Sequence, residues 1–454
     1  MTKLLIDNGW VIPVDGRRDS IEGGAVAIEG DRIVAVGPRD EVRKAFAADR
    51  SIDATGKAVL PGFVNTHTHL MGAFNKALTE DPPCISGGLF TIAMPLQRKY
   101  IRPEEIYWPC LMHAMEMLRT GTTTINEVWW FEREAAKSVR DLGLRAVIAE
   151  NISEADLTRL GPDNLERHFD ADEGKRSIDA AQAFIEEWHG AADGRITCRF
   201  GPFSPDTCSE RTLLRVKELA AARGLGFHVH LAQIPGEVEY MRKAYGKGSV
   251  AFMRDLGYLS PKFVGIHCVF MTPDEVGMMV DAGAHMSHTA YLVGKRGYFP
   301  PMTEVYRRGL SVSIGSDWLS NDMFKILRAA ILLARQQAGS VDILNGPRAL
   351  EMATMGGARA LGLAREVGSL EPGKKADLFL LNLRTPWLNP IRPQQIVTNI
   401  IYNANGSDVT HVLVDGKIVV ADGRCTQIDE EAAFRECQRA AGIVWDRARG
   451  LFAD

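Results

Sequence analysis

The chain has 454 residues, 46% of them hydrophobic, and a formal net charge of −4. That length supports a large core and roughly two or three domains, while near-balanced charge without a basic block argues against nucleic acid as a partner. No apolar run is long enough to span a bilayer, and the N-terminus reaches Asp7 before any signal-type segment forms, so a cytoplasmic protein is expected. The seven cysteines, Cys84, Cys110, Cys198, Cys208, Cys268, Cys425 and Cys437, form no CxxC motif and are odd in number. They read as reduced, buried thiols.

Residues 1 to about 58 read as short strands and turns. Ala25–Ile28 and Ile33–Val36, joined by Glu29-Gly30-Asp31-Arg32, predict a hairpin. From residue 59 to 365, short apolar runs alternate with longer amphipathic stretches, the mark of βα units and a parallel sheet. The runs are Val59–Thr66, Gly121–Glu127, Leu144–Glu150, Ile196–Pro202, Gly226–Leu231, Phe263–Val269, Ala284–Ala290 and Leu310–Ser316. Eight of them fit a (β/α)8 TIM barrel, whose usual size is about 250 residues. After Leu363 strands return: Asp377–Leu381 reads as buried, and Val412–Val420 as a hairpin with Asp415-Gly416 at its tip. The expectation is an α/β chain, its barrel spanning 59–365. A small β-sandwich domain is built from 1–58 and 366–454, with a closing helix over Glu430–Gly450.

Chemistry-bearing residues collect at the ends of those runs. His67 and His69 close the first, and residues two apart in a strand share a face, so both imidazoles point to one side. His230 lies nearer the rim than His228 in the fifth run, which makes His230 the candidate ligand and His228 a deeper, hydrogen-bonded core residue. His267 ends the sixth run and suits either a further ligand or a group that contacts substrate and attacking water. Asp317 ends the eighth; a carboxylate there can touch a metal and take a proton from its water, or cap the next helix. Strand ends of a barrel gather such residues into one site. Trp129-Trp130 and Trp318 stand beside these positions, as stacking surfaces for a flat ring or as loop packing. The long segment from Leu70 to Tyr100, with Pro82-Pro83 and Gly87-Gly88, reads as a lid or pocket wall, or as a dimer-contact loop. Arg98 and Lys99 offer an anionic substrate a weak anchor, and His285 and His288 read as structural, with a pocket-facing His288 as the alternative.

These elements resemble the amidohydrolase superfamily. Within it, Gly121–Glu127, Met352-Ala353-Thr354 and Gly357–Gly362 are similar to the branch of atrazine chlorohydrolase, melamine deaminase and the purine and pyrimidine deaminases. The resemblance implies that His67, His69, His230 and Asp317 hold one divalent ion, zinc first and iron or manganese next, with His267 contacting the ion or its water. It implies an enzyme in which metal-bound hydroxide, formed at neutral pH because the ion lowers the pKa of water from about 15.7 towards 7, adds to an electron-poor carbon of a nitrogen heterocycle. Asp317, His267 and Gln233 are the expected catalytic groups; Trp129, Trp318 and Phe203 are the expected substrate contacts. The expected partner is a small heterocycle, and a homodimer or higher homo-oligomer is the default assembly.

Two departures bear on the reaction. Deaminases of this branch carry Glu three residues after the strand-five ligand, where this chain has Gln233. An amide orients water or substrate but does not donate and recover a proton. Phe203 stands where nucleoside-type deaminases show a substrate-binding histidine, which disfavours adenosine-like substrates. By the resemblance hydrolytic deamination still leads, with displacement of chloride or sulfur as the alternative that Gln233 favours. A non-catalytic ligand-binding protein on the same barrel comes third.

Overall fold

The computed structural model describes residues 2–17, 20–80, 92–160, 166–318 and 320–452. The N-terminal segment supplies β1 (Lys3–Val11), β2 (Ile21–Glu29), β3 (Arg32–Pro38), β4 (Arg50–Asp53) and β5 (Lys57–Pro61). The central segment supplies β6 (Phe63–Thr68), β7 (Thr122–Trp129), β8 (Arg145–Ile152), β9 (Ile196–Cys198), β10 (Gly201–Pro202), β11 (Phe227–Leu231), β12 (Phe263–His267), β13 (His285–His288) and β14 (Ser311–Ile314). The C-terminal segment adds β15 (Leu378–Asn382), β16 (Val409–Val414), β17 (Lys417–Ala421) and β18 (Arg424–Cys425).

Both ends of the chain meet in one nine-stranded mixed sheet, ordered β18-β17-β16-β15-β5-β1-β2-β3 with β4 beside β1. The β2–β3 hairpin pairs Glu29 with Arg32, and the β16–β17 hairpin pairs Val414 with Lys417. Asp415 and Gly416 at its tip take φ of 48° and 70°, the left-handed pair that a two-residue turn between twisted strands requires. A compact core of Ile6, Val26, Ile28, Ile33, Val59, Leu378, Leu380 and Leu413 draws on both chain ends. The run beginning at Val59 is divided. Its first residues belong to β5, which pairs antiparallel with β15, and β6 begins after Gly62.

The central strands form two parallel sheets, β10-β8-β7-β6 with β9 beside β8, and β11-β12-β13-β14. Parallel bridges join their edges on both sides, Phe200 to Phe227 and Thr68 to Asp317. All eight apolar runs therefore carry strand in the order of the sequence, with helices between them. The helix Glu210–Arg223 illustrates why. Leu213, Val216, Leu219 and Ala220 recur at helical spacing and are buried, Ser209 accepts a bond from the amide of Thr212, and Gly224 at φ 67° turns the chain back towards β11. The closing helix spans Glu430–Arg447, capped by Asp429, and docks through Arg447 on Glu105. The six described cysteines are free thiols, and no helix among the described residues is long and apolar enough to cross a membrane. Residues 81–91, which hold Pro82-Pro83 and Gly87-Gly88 of the expected lid, lie outside the described residues.

Candidate metal centre and substrate cleft

Strand alternation brings His67 of β6 and His69, one residue past its end, to the same face, and β11, β12 and the residue pairing with Thr68 bring up the rest. Each ring is fixed through Nδ1. His67 Nδ1 lies 2.8 Å from His228 Nε2, His69 Nδ1 2.7 Å from the Val128 carbonyl, His230 Nδ1 3.0 Å from the Phe203 carbonyl, and His267 Nδ1 2.7 Å from Thr289 Oγ1. The Nε2 atoms are thereby turned inward. His69 Nε2 and His230 Nε2 are 3.4 Å apart; Asp317 Oδ2 is 3.4 Å from His67 Nε2 and 3.6 Å from His267 Nε2. Two sets of side chains, His67–His230–His267 and His67–His69–Asp317, each place their ligand atoms within 4.8 Å of one another. His228 lies deeper, hydrogen-bonded to His67, as its place in the run predicts.

The geometry calls for a cation. A carbonyl only accepts, so His69 and His230 carry their proton on Nδ1 and present lone pairs to each other from Nε2. Facing lone pairs at that distance repel unless a positive ion sits between them. His67 Nε2 and His267 Nε2 are buried with no hydrogen-bond partner among the described residues, where buried polar atoms are nearly always paired. Burial also pulls His67 and His230 down to about 3 and holds His69 and His267 well below the ordinary imidazole value. All four are therefore neutral, the form that binds metal. Nitrogen donors with one carboxylate, each ring oriented by an outer partner, match a zinc-type donor set.

The backbone is strained at the same place. Ala232, His267, Cys268 and Asp317, none of them glycine, take φ of 47°, 68°, 52° and 61°. Such residues cost about 1–3 kcal/mol each and persist where the surroundings over-determine them. Gly315 runs so close to the centre that a Cβ would lie 2.8 Å from both His67 Cβ and Ser287 Oγ. No larger residue fits there.

A narrow cleft adjoins this cluster, lined by His69, His230 and Asp317 together with Trp129, Trp318, Phe203 and Met94. Trp129 donates to Gln97 Oε1 at 2.6 Å and lies 4.0 Å, centroid to centroid, from His69; Phe203 leans on His230 at 4.5 Å. Gln233 lines the same cleft. Its loop is held by Glu237, whose buried carboxylate accepts from the amides of Ala232 and Gln233 at 2.7 and 2.8 Å and from Ser249 Oγ at 2.7 Å.

With that geometry in view, known proteins supply a frame. A family model described as the amidohydrolase family matches residues 58–419. The chain belongs to the amidohydrolase family. A short further match, over residues 24–48, is to the bacterial imidazolonepropionase-like composite domain. The chain is 36% identical over 441 residues to a 5-methylthioadenosine/S-adenosylhomocysteine deaminase of Moorella thermoacetica, covering 96% of this chain and 98% of that protein. Among solved structures, a zinc-bound adenosine deaminase of Xanthomonas campestris is similar with a TM-score of 0.89 and 27% identity, over 98% of this chain and 99% of that one. A zinc complex of atrazine chlorohydrolase from Arthrobacter aurescens shares the fold, with a TM-score of 0.85 at 22% identity over 96% and 100% of the two chains.

Within this family frame, the residues singled out by sequence gather closely: His67, His69, His230, His267, Asp317, Gln233, Trp129, Trp318 and Phe203 all border one centre. Others go elsewhere. Trp130 stacks on Phe203 but lines a separate cavity of ≈ 660 Å³ with Arg98 and Glu150. Arg98 is engaged there, 4.7 Å above the Trp130 ring and 3.2 Å from Glu173. His285 bonds Ser311, and His288 faces a small cavity beside Val293 and Tyr298. Sequence reasoning missed Arg296, which lines the cleft, and Glu127, whose two oxygens accept from the Leu70 amide at 2.9 and 3.0 Å just after His69. No periodicity marks Arg296; Glu127 carried a signal, a charged residue inside the all-buried strand β7.

Proposed function

We propose that the chain is a metal-dependent hydrolase that removes an amino group from a nitrogen heterocycle. The observation that carries this reading is the convergence of inward-facing, neutral imidazoles on Asp317 beside an aromatic cleft. The deaminase and adenosine deaminase relatives, one of them with bound zinc, support it. In this reading residues 59–365 form the barrel, closed through the two edge bridges. The terminal strands form the smaller β domain, with β5 handed across to its sheet.

His67, His69, His230 and Asp317 hold a divalent ion, zinc first, and His267 contacts it or the reacting water. When bound, such an ion makes water a competent nucleophile near neutral pH. The chain's own groups do the rest. Trp129, Trp318 and Phe203 hold a flat ring and exclude water from its faces. Asp317 Oδ2 takes a proton from the attacking water and returns it to the departing nitrogen, so water plus the amine yields the oxo ring and ammonia. His267, 3.6 Å from that oxygen, stabilises the charge that develops as the ring carbon is attacked. Gln233 orients the ring without exchanging protons.

A second reading rests on Gln233 alone: chloride leaves without a proton and sulfur needs less help than nitrogen, so a non-amine leaving group tolerates the amide. Zinc-loaded protein assayed on amino-, chloro- and thio-substituted purines, pyrimidines and triazines separates the two. Ammonia release that stops on chelation is the expected result, with Gln233→Glu raising it on uncharged amines. Chloride or sulfide without ammonia would transfer the assignment to the second reading, and silence across the panel with metal bound would remove both.

A further inference from the structure

One cation in the cleft has no bonded counterion among the described residues. Arg296 caps the end of the helix Ala290–Lys295 and lines the cleft with Asp317, Gln233, His69 and His230. Its guanidinium makes no hydrogen bond or ion pair among the described residues. The neighbouring cations are engaged: Lys295 donates to the Thr79 carbonyl at 2.7 Å and approaches Glu80 at 4.0 Å, and Arg98 is held by Glu173 and Trp130. Burial pulls Arg296 below its ordinary value while Asp317 pulls it up, and its charge adds to burial in keeping His230 and His267 neutral. Asp317 Oδ2 faces His67 Nε2 and His267 Nε2, at 3.4 and 3.6 Å.

Arg296 is half-buried, and a guanidinium that lines a cleft without a bonded protein partner is open to an anion that enters there. The amide of Gln233 fits that logic. A carboxylate at position 233 would place a second anion on the same cleft, beside Asp317; an amide adds none and leaves the guanidinium without a bonded carboxylate. Arginine presents a planar fork of donors that matches a carboxylate with two parallel bonds.

We propose that Arg296 is a specificity-determining residue, and that the heterocycle taken by this site carries a carboxylate that the guanidinium binds. The proposal rests on the deaminase reading and adds the substrate class to it. Asp317 would repel such a group at the reacting carbon, so the carboxylate belongs on a ring position that meets Arg296 instead. A site built around that contact disfavours the uncharged analogue, because the guanidinium then loses its two parallel bonds.

The test uses the full zinc-loaded chain and two matched probe pairs, cytosine-5-carboxylate against cytosine and adenine-9-acetate against adenine. Calorimetry gives Kd, and ammonia release gives kcat and KM. In at least one pair the carboxylated member should bind about 10-fold tighter or more. Arg296→Met should erase that preference, Arg296→Lys should restore part of it, and KM should move more than kcat. Gln233→Glu should weaken the carboxylated probe by about 10-fold. Equal binding within both pairs by the native protein, or a preference that survives Arg296→Met, overturns the inference. Ammonia release without a carboxylate preference removes only this inference; a preference without ammonia from any probe upholds carboxylate recognition and removes deamination.

Discussion

Two buried charged clusters in this molecule differ in one respect that separates architecture from chemistry. At the junction with the terminal sheet, Arg145 at the start of β8 bonds Asp377 at 2.8 and 3.2 Å and also meets Asp415. Asp377 accepts in turn from the Asp415 amide at 2.8 Å, and Lys375 lies 3.5 Å from Asp415. The polar atoms of that cluster complete one another. At the other end of the same strands, the imidazoles and Asp317 leave His67 Nε2 and His267 Nε2 unmatched and set two lone pairs face to face. A closed network stabilises an interface, whereas an open one waits for a ligand.

The open cluster breaks first in function. Asp317→Asn keeps the shape and removes the base, so turnover of the best substrate should fall on the order of 10³-fold. Metal content should fall only in part, because three imidazoles remain. Turnover and elemental analysis on the same sample decide it, and unchanged turnover would end the role assigned to Asp317. Unfolding in urea should change little when metal is kept saturating, since the loss is chemical.

Breaking the closed cluster has the opposite signature. Burial alone would lower Arg145, but Asp377 and Asp415 together hold it above the ordinary arginine value. Arg145→Met leaves two carboxylates facing each other in the interior, and loss of one partner of a buried pair costs about 3–5 kcal/mol. Urea denaturation should show that loss while zinc stoichiometry stays at the native value. Loss of metal with unchanged stability would show that the cluster serves the centre instead of the junction.

The two clusters were unequally legible in the sequence. His67, His69, His230, His267 and Asp317 each end an apolar run, and strand periodicity with parallel pairing is enough to send run ends to one rim. Arg145 pairs with residues 232 and 270 positions away that share no pattern with it, so only the fold brings them together. β5 shows the same limit: apolar content through Val59–Thr66 is continuous, but Gly62 divides it between two sheets. Trp129 and Trp130 are adjacent in sequence and face different cavities, because Trp129 ends β7 and the chain turns after it. Arg296 lies past β13 at a helix end, where spacing says nothing about which way a long side chain reaches.

Between the two extremes stands Glu150, and it sharpens the comparison with the smallest effect. Burial pushes its carboxyl up to about 7, against the amides of Glu132 and Phe131, which favour the ionised form. The folded chain thus holds a proton that the unfolded chain releases near the ordinary value of 4.5. Its contribution to stability is complete below that value and is lost as pH rises through about 7. Glu150→Gln abolishes the titration, so the drop in unfolding free energy between pH 5 and pH 8 should shrink by about 2 kcal/mol relative to the native chain. Urea curves at the two pH values measure this. An identical drop in both proteins would mean that Glu150 is ionised throughout and satisfied by its two amides, which would group it with the closed cluster.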